Sequence, residues 1–381
     1  MSKFYLLAFA AAAGTLLTSC FKDEPLNAEC DIEQAYLHAD NPDEVFVKPT
    51  DSIATTNETA RVITFYVRKG TDLTALAPKF ELTPGATISP ENGTTHDFSG
   101  DGVAYTVTSE DRAWSKTYTV RFNDGGYFPE ELDFEHFFLE PNKQKYYIWT
   151  DIADNGADML NWASGNAGFA IVGGNAEPEG YPTAPYEDGY DGKAVKLTTR
   201  STGKAGSVFR MPIAAGNLFT GSFRANTATT KPLESTHFGD GSFCVVNKKP
   251  LKLTGYYQYT PGETITDRQG NTVEGTDQGD IYAVLFKNTK DDGTPFWLDG
   301  TNVKTSPQII ALAEAGPVDR TTGGWQEFSV DFNYTAAFDT QVLKNHGYSL
   351  AVVFTSSKGG ADFIGAVGSQ LLIDKVRVVM E

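Results

Sequence analysis

The sequence is poor in cysteine, in histidine and in positive charge. It holds 3 cysteines, 5 histidines and 31 Lys and Arg against 49 Asp and Glu, a net charge of −18. The shortage of basic residues excludes nucleic acid as a partner, because binding it relies on neutralising phosphates with Lys and Arg. Neutral glycans, cations and proteins stay open. The histidines at 38, 96, 136, 237 and 346 show no metal-ligand spacing, and no CxxC or Cys/His cluster points to zinc. GxSxG, HExxH, P-loop and dinucleotide fingerprints are absent from the sequence. The apolar run Phe4 to Leu17 is shorter than the about 20 residues a membrane-spanning helix needs.

That run, preceded by Lys3, fits a secretory h-region. Leu17-Thr18-Ser19-Cys20 resembles a lipobox, the recognition site of lipoprotein signal peptidase. The resemblance implies removal of residues 1–19 and lipidation of Cys20. Each acyl CH₂ contributes about 0.8 kcal/mol of membrane affinity, so two or three chains anchor stably. Lys22-Asp23-Glu24 after Phe21 is similar to the export signal that sends lipoproteins of Gram-negative gut bacteria to the outer face of the outer membrane. A solvated linker reads the same way. The expected location is the outer membrane, lipid-anchored and facing outward. There, Cys30 and Cys244 meet an oxidising compartment. They fall in separate expected domains, so two buried, unpaired thiols are expected.

The length favours two domains. Residues 20–30 read as a polar tether. Within 31–124, Val62 to Val67, Tyr105 to Thr108 and Thr117 to Phe122 are short β-branched and aromatic segments. Thr83-Pro84-Gly85, Pro90-Glu91-Asn92-Gly93 and Asp101-Gly102 supply turns between them. This spacing predicts a β-sandwich. The wording of 70–90 and 97–111 resembles the Ig-like spacer domains of surface lipoproteins. Asn123 to Gly126 is the natural hinge. From 125 to 381, strand-like runs recur between Gly, Pro and Asn, including Ser207 to Arg210, Leu218 to Phe223, Ile281 to Phe286, Gln326 to Phe332 and Leu371 to Val378. A short helix fits Gln308 to Glu314 or 336–344. The fold class expected is all-β, a sandwich followed by a larger jelly roll.

Several ordered motifs in the second region carry a family resemblance. They include Trp162 to Asn166, Tyr190 to Thr199, Ala215 to Gly221, Pro250 to Gly262, Thr355 to Gly360 and Phe363 to Asp374. Together they resemble the putative carbohydrate metabolism domain family of surface lipoproteins, over roughly 127 to 381. The resemblance implies a jelly roll like that of carbohydrate-binding modules and work on glycans, and it supplies no catalytic residues. Many sugar-binding jelly rolls hold a structural Ca²⁺ between an Asp on the last strand and an acid on the first. By that likeness Asp374, Glu135 and Asp133 are the calcium candidates, the one cofactor expected. The plainer alternative has Asp374 capping a turn or pairing with Lys or Arg.

Sugar binding needs flat rings for CH faces and polar groups for hydroxyls. Trp297, flanked by Pro295 and Asp299-Gly300, ranks first as a loop-tip ring. Tyr257 and Tyr259 share one strand face by their i, i+2 spacing, with Tyr256 on the other. Trp162 and Trp149 complete the candidates. Core burial competes for each of them. The function expected is glycan capture by a surface lipoprotein, with polysaccharide and other glycan-uptake proteins as partners. Two alternatives stay open: a glycoside hydrolase on the same jelly roll, and a structural or adhesive protein that binds protein. Among 49 acids no pair stands out as a catalytic couple.

Overall fold

The computed structural model describes residues 26–46, 52–57, 61–68, 70–123, 127–152, 158–173 and 176–381. Cys20 lies outside these residues. The fold is all-β in class, with 42% strand and 11% helix among the described residues.

In the N-terminal unit, a five-stranded sheet runs in the order Thr55–Asn57, Val62–Tyr66, Ser115–Asn123, Val103–Thr108 and Thr87–Ser89. Ile32–Tyr36 and Lys79–Leu82 form a second, two-stranded layer. Alternation explains the packing: Phe65, Tyr105, Val107, Val120 and Phe122 point inward and are buried with Phe80. Phe65 and Phe122 stack at 4.7 Å.

Two larger antiparallel sheets form the C-terminal unit. One has nine strands, with Asp280–Lys287, Tyr348–Thr355 and Asn217–Phe223 as neighbours at its centre. The other has six and is built on the two 11-residue strands Pro250–Thr260 and Gln370–Met380. Between the sheets lies one core that includes Trp149, Leu253, Tyr259, Leu285, Val352, Phe354 and Ile373. Along Asp280–Lys287, Ile281, Ala283 and Leu285 face this core. Tyr282, Val284 and Phe286 face a second cluster with Phe219, Phe238 and Val353. A strand buried on both faces reads as a continuous apolar run, and this one does. That second cluster places covered apolar surface on the outer side of the nine-stranded sheet.

Local structure decides between two sequence alternatives at one place and departs from the sequence reading at another. Ile309–Glu314 is a strand with Ile310, Ala311 and Ala313 buried, while the helix of this region is Thr340–Lys344. Its cap is Asp339, whose Oδ1 accepts from the amides of Gln341 at 2.7 Å and Val342 at 3.4 Å. Ser207 to Arg210 is not a strand. Val208 ends the short helix Gly203–Val208, and it and Phe209 are exposed. Cys30 and Cys244 are buried free thiols in different cores.

One buried acid sets a pH dependence. Asp151 accepts a hydrogen bond from Trp162 Nε1 at 3.0 Å. Burial, the larger influence, pushes its carboxyl up to about 7 against the lowering effect of that bond. A carboxyl raised on folding binds protons more tightly in the native state. Its contribution is fully present below about pH 4, its unfolded value, and is lost as pH rises through about 7. Asp151→Asn keeps an acceptor for Trp162 and removes the titration. Melting temperatures of this variant should fall less than those of the parent between those two pH values.

Candidate functional site

A cleft of about 420 Å³ opens over the outer face of the nine-stranded sheet. Its floor is Phe219, Phe238, Tyr282 and Val353, side chains that alternate away from the main core. Helix Asn166–Val172 contributes Phe169 to one wall. Phe223, Leu233, the 300–305 segment and Phe363 supply further walls. Asn217 fixes one corner, because its Oδ1 accepts from the Gly165 amide at 2.7 Å.

Charge is concentrated at one side. Lys304 Nζ donates to Asp280 Oδ2 at 2.8 Å and to Glu314 Oε1 at 2.5 Å, and sits 4.1 Å from the centre of the Tyr282 ring. Asp280 is buried, and desolvation raises its carboxyl despite Lys304. The Lys304 hydrogen bond lowers Glu314. Lys358 adds an exposed ammonium at the rim. Apolar rings beside fixed polar groups match what a sugar ring requires.

The sequence candidates lie elsewhere. Trp149, Trp162 and Tyr259 are core residues, not platforms. Their strands alternate toward the space between the sheets, where large rings fill volume. Trp162 packs on Phe134 and Phe354, and Tyr259 donates its hydroxyl to the Ser356 carbonyl at 3.0 Å. Tyr257 is half-buried against the same core. Trp297 is also half-buried. It stacks on His237 at 4.8 Å, and the Arg224 guanidinium lies 5.7 Å from its ring centre. Its sequence flanks predicted a loop but carried no sign of the histidine beneath it.

Asp374 is fully buried, and Asp374 and Glu135 both serve the 187–193 loop. The Asp191 amide donates to Asp374 Oδ2 at 3.0 Å, and the Lys193 amide donates to Glu135 Oε1 at 2.9 Å. Asp133 Oδ1 accepts from the Glu135 amide at 3.3 Å. A calcium ion needs 6 to 8 oxygen ligands. Here the loop presents N–H donors to the carboxylates, and Lys375 Nζ lies 3.0 Å from Asp191. Among the described residues no group of three His, Cys, Asp or Glu side chains converges. In this arrangement the two carboxylates anchor the loop.

The Phe363 to Asp374 motif has a partner that sequence reading missed. Asp277 Oδ2 accepts from Ser357 Oγ and Ser369 Oγ, each at 2.6 Å, and from the Ala366 amide at 2.8 Å. Its Oδ1 accepts from the Gln278 amide at 2.9 Å. Gly365 is small for a stated reason, since a Cβ there would lie 2.6 Å from Ser357 Oγ. Also missed were Asp280, Lys304 and Glu314. The only sequence signal was an acid opening an otherwise apolar strand.

Comparison with known proteins adds the family. Residues 133–379 match the model described as "Putative carbohydrate metabolism domain", and residues 45–121 match "SGBP, N-terminal". No curated protein matches. A solved structure titled as a putative glycoside hydrolase from Bacteroides thetaiotaomicron VPI-5482 is 38% identical, covering 94% of this chain and 99% of that one, with a TM-score of 0.67. Another with that description, from Bacteroides vulgatus ATCC 8482, is 35% identical, covering 67% of this chain and 99% of that one, with a TM-score of 0.60. With the larger match spanning most of its length, the chain belongs to the carbohydrate-related family named putative carbohydrate metabolism domain.

Proposed function

We propose that this protein captures neutral glycan at the cell surface and holds it in the cleft on the outer face of the nine-stranded sheet. The observation that carries the reading is the pairing of a ring-lined floor with a fixed Asp280–Lys304–Glu314 group at its side. Sugar CH faces would lie on the partly exposed rings of Phe223 and Phe363. Hydroxyls would exchange hydrogen bonds with the charged group and Lys358. Net charge of −18 favours a neutral polymer over an anionic one. A glycan array probed with residues 21–381 tests this. Selective binding to neutral glycans is expected, and binding confined to protein ligands would overturn it.

A second reading has one observation in its favour. Asp280 and Glu314 share one ammonium and are shifted in opposite directions, as an acid and a nucleophile of a glycosidase would be. Against it, Lys304 stands between the two carboxylates, where the scissile bond would have to lie. Reducing-end release that disappears in Glu314→Gln would favour the enzyme. Retention without release favours the binding module.

The likeness of Leu17 to Cys20 to a lipobox supports a reading in which Cys20 carries a lipid anchor. Cys20→Ala should abolish lipid labelling and leave the protein soluble in the periplasm. Unchanged partitioning into detergent would refute the anchor.

A further inference from the structure

We propose that Tyr190, Tyr256 and Trp325 form a second contact surface for neutral polysaccharide, on the side of the C-terminal sandwich opposite the cleft. Tyr190 and Tyr256 stack at 3.6 Å with planes 8° apart, and Trp325 stands nearly perpendicular to Tyr190 at 6.4 Å. Tyr256 lies on Pro250–Thr260, where Leu253, Tyr257 and Tyr259 face the core, so Tyr256 faces outward. Tyr190 covers one face of Tyr256 and is itself 48% exposed. The stack is therefore a two-ring pedestal with an open upper ring.

Three observations separate this patch from stray surface aromatics. First, the 187–193 loop that carries Tyr190 is fixed from below, by Asp374 on the Asp191 amide and Glu135 on the Lys193 amide. Tyr190 is thus ordered before any ligand arrives, which lowers the entropic cost of binding. Second, charged groups flank the rings. The Asp191–Lys375 pair is at 3.0 Å, and Glu327 is the exposed strand neighbour of Tyr256. They give hydroxyls their partners, and the acids disfavour an anionic polymer. Third, Trp325 follows Gly323 and Gly324, both at positive φ with open space around them. Left-handed backbone at both positions suits glycine, and neither adds a side chain beside Trp325.

The cleft and this pedestal point in opposite directions from one sandwich. A long or insoluble polymer can engage both, raising retention by effective concentration, whereas a short oligosaccharide cannot. The proposal takes only its ligand class from the reading of the cleft.

The test uses residues 21–381 with Tyr190→Ala, Trp325→Ala and Tyr190→Trp, beside the rim variants Lys358→Ala and Phe363→Ala. Affinity gels containing laminarin, xylan, mannan or starch report retention, and melting temperature reports folding. Losing one stacked ring should weaken retention roughly three- to tenfold. Tyr190→Ala and Trp325→Ala should each show that loss at parental melting temperature, and Tyr190→Trp should retain binding. If the rim variants lose retention while both pedestal variants keep it, the pedestal is overturned and the cleft stands. If only the pedestal variants lose it, the pedestal stands and the cleft reading falls. A parent that none of the four polymers retains overturns both.

Discussion

Lys304→Met should lower stability by about 2–3 kcal/mol at neutral pH and abolish glycan retention. The side chain of Asp280 is 6% exposed, and Lys304 is the cation that hydrogen-bonds it. Removing one partner of a buried pair typically costs about 3–5 kcal/mol, because the other charge is left uncompensated. We expect the lower figure because Lys304 is itself 27% exposed and Glu314 34%, so solvent screens that half of the group. The loss corresponds to about 4–12 °C in melting temperature for a unit of this size. Its pH dependence has a definite sign. Burial already raises Asp280, and loss of the cation raises it further. A protonated Asp280 needs no cation, so the deficit should be greatest at neutral pH and shrink on acidification. Adding Asp280→Asn to Lys304→Met should restore much of the stability. A single variant as stable as the parent at neutral pH would refute this account of the charged group.

Asp277→Ala should be the most damaging polar substitution in the C-terminal unit, at roughly 3–5 kcal/mol. One carboxylate takes four hydrogen bonds and joins the start of a central strand to the 355–357 and 365–369 segments. Alanine strands the Ser369 hydroxyl proton and one buried amide, each of which then bears its desolvation cost, and leaves Ser357 Oγ with Thr199 Oγ1 as its remaining partner. The first of these segments borders the cleft through Thr355 and Ser357, and Lys358 and Phe363 lie between the two, so retention should fall with stability. Urea unfolding measures the loss. A value below about 1 kcal/mol would mean that water or a rearranged loop satisfies those donors.

The all-β class was legible because period-2 patterning is local. Phe328 and Val330 against Glu327, Ser329 and Asp331 mark a strand with one wet face, and Gln326–Asp331 is such a strand. Alternation also put Tyr257 and Tyr259 on one face and Tyr256 on the other, but it cannot say which face is the core. The cores show that the pair faces inward and the single ring outward. The helix at Thr340–Lys344 is set by its Asp339 cap, a signal shorter than the window in which periodicity is read. The cleft was the least legible feature. Asp280, Lys304 and Glu314 come from two neighbouring strands and an intervening loop, and meet only when Asp280–Lys287 pairs with Ile309–Glu314. Asp277 and Ser369 are likewise 92 residues apart. In both cases the residue types are commonplace, and sheet register makes the site.

Affinity electrophoresis of residues 21–381 with the rim variants Lys358→Ala and Phe363→Ala, each checked for melting temperature, tests the central claim most directly. Lys358 is exposed and Phe363 is partly so, so both should tolerate truncation. The account predicts that the parent is retarded by a neutral polysaccharide and that both variants lose retardation at parental stability. Retardation unchanged in both variants would contradict it and remove the outer-face cleft as the glycan site.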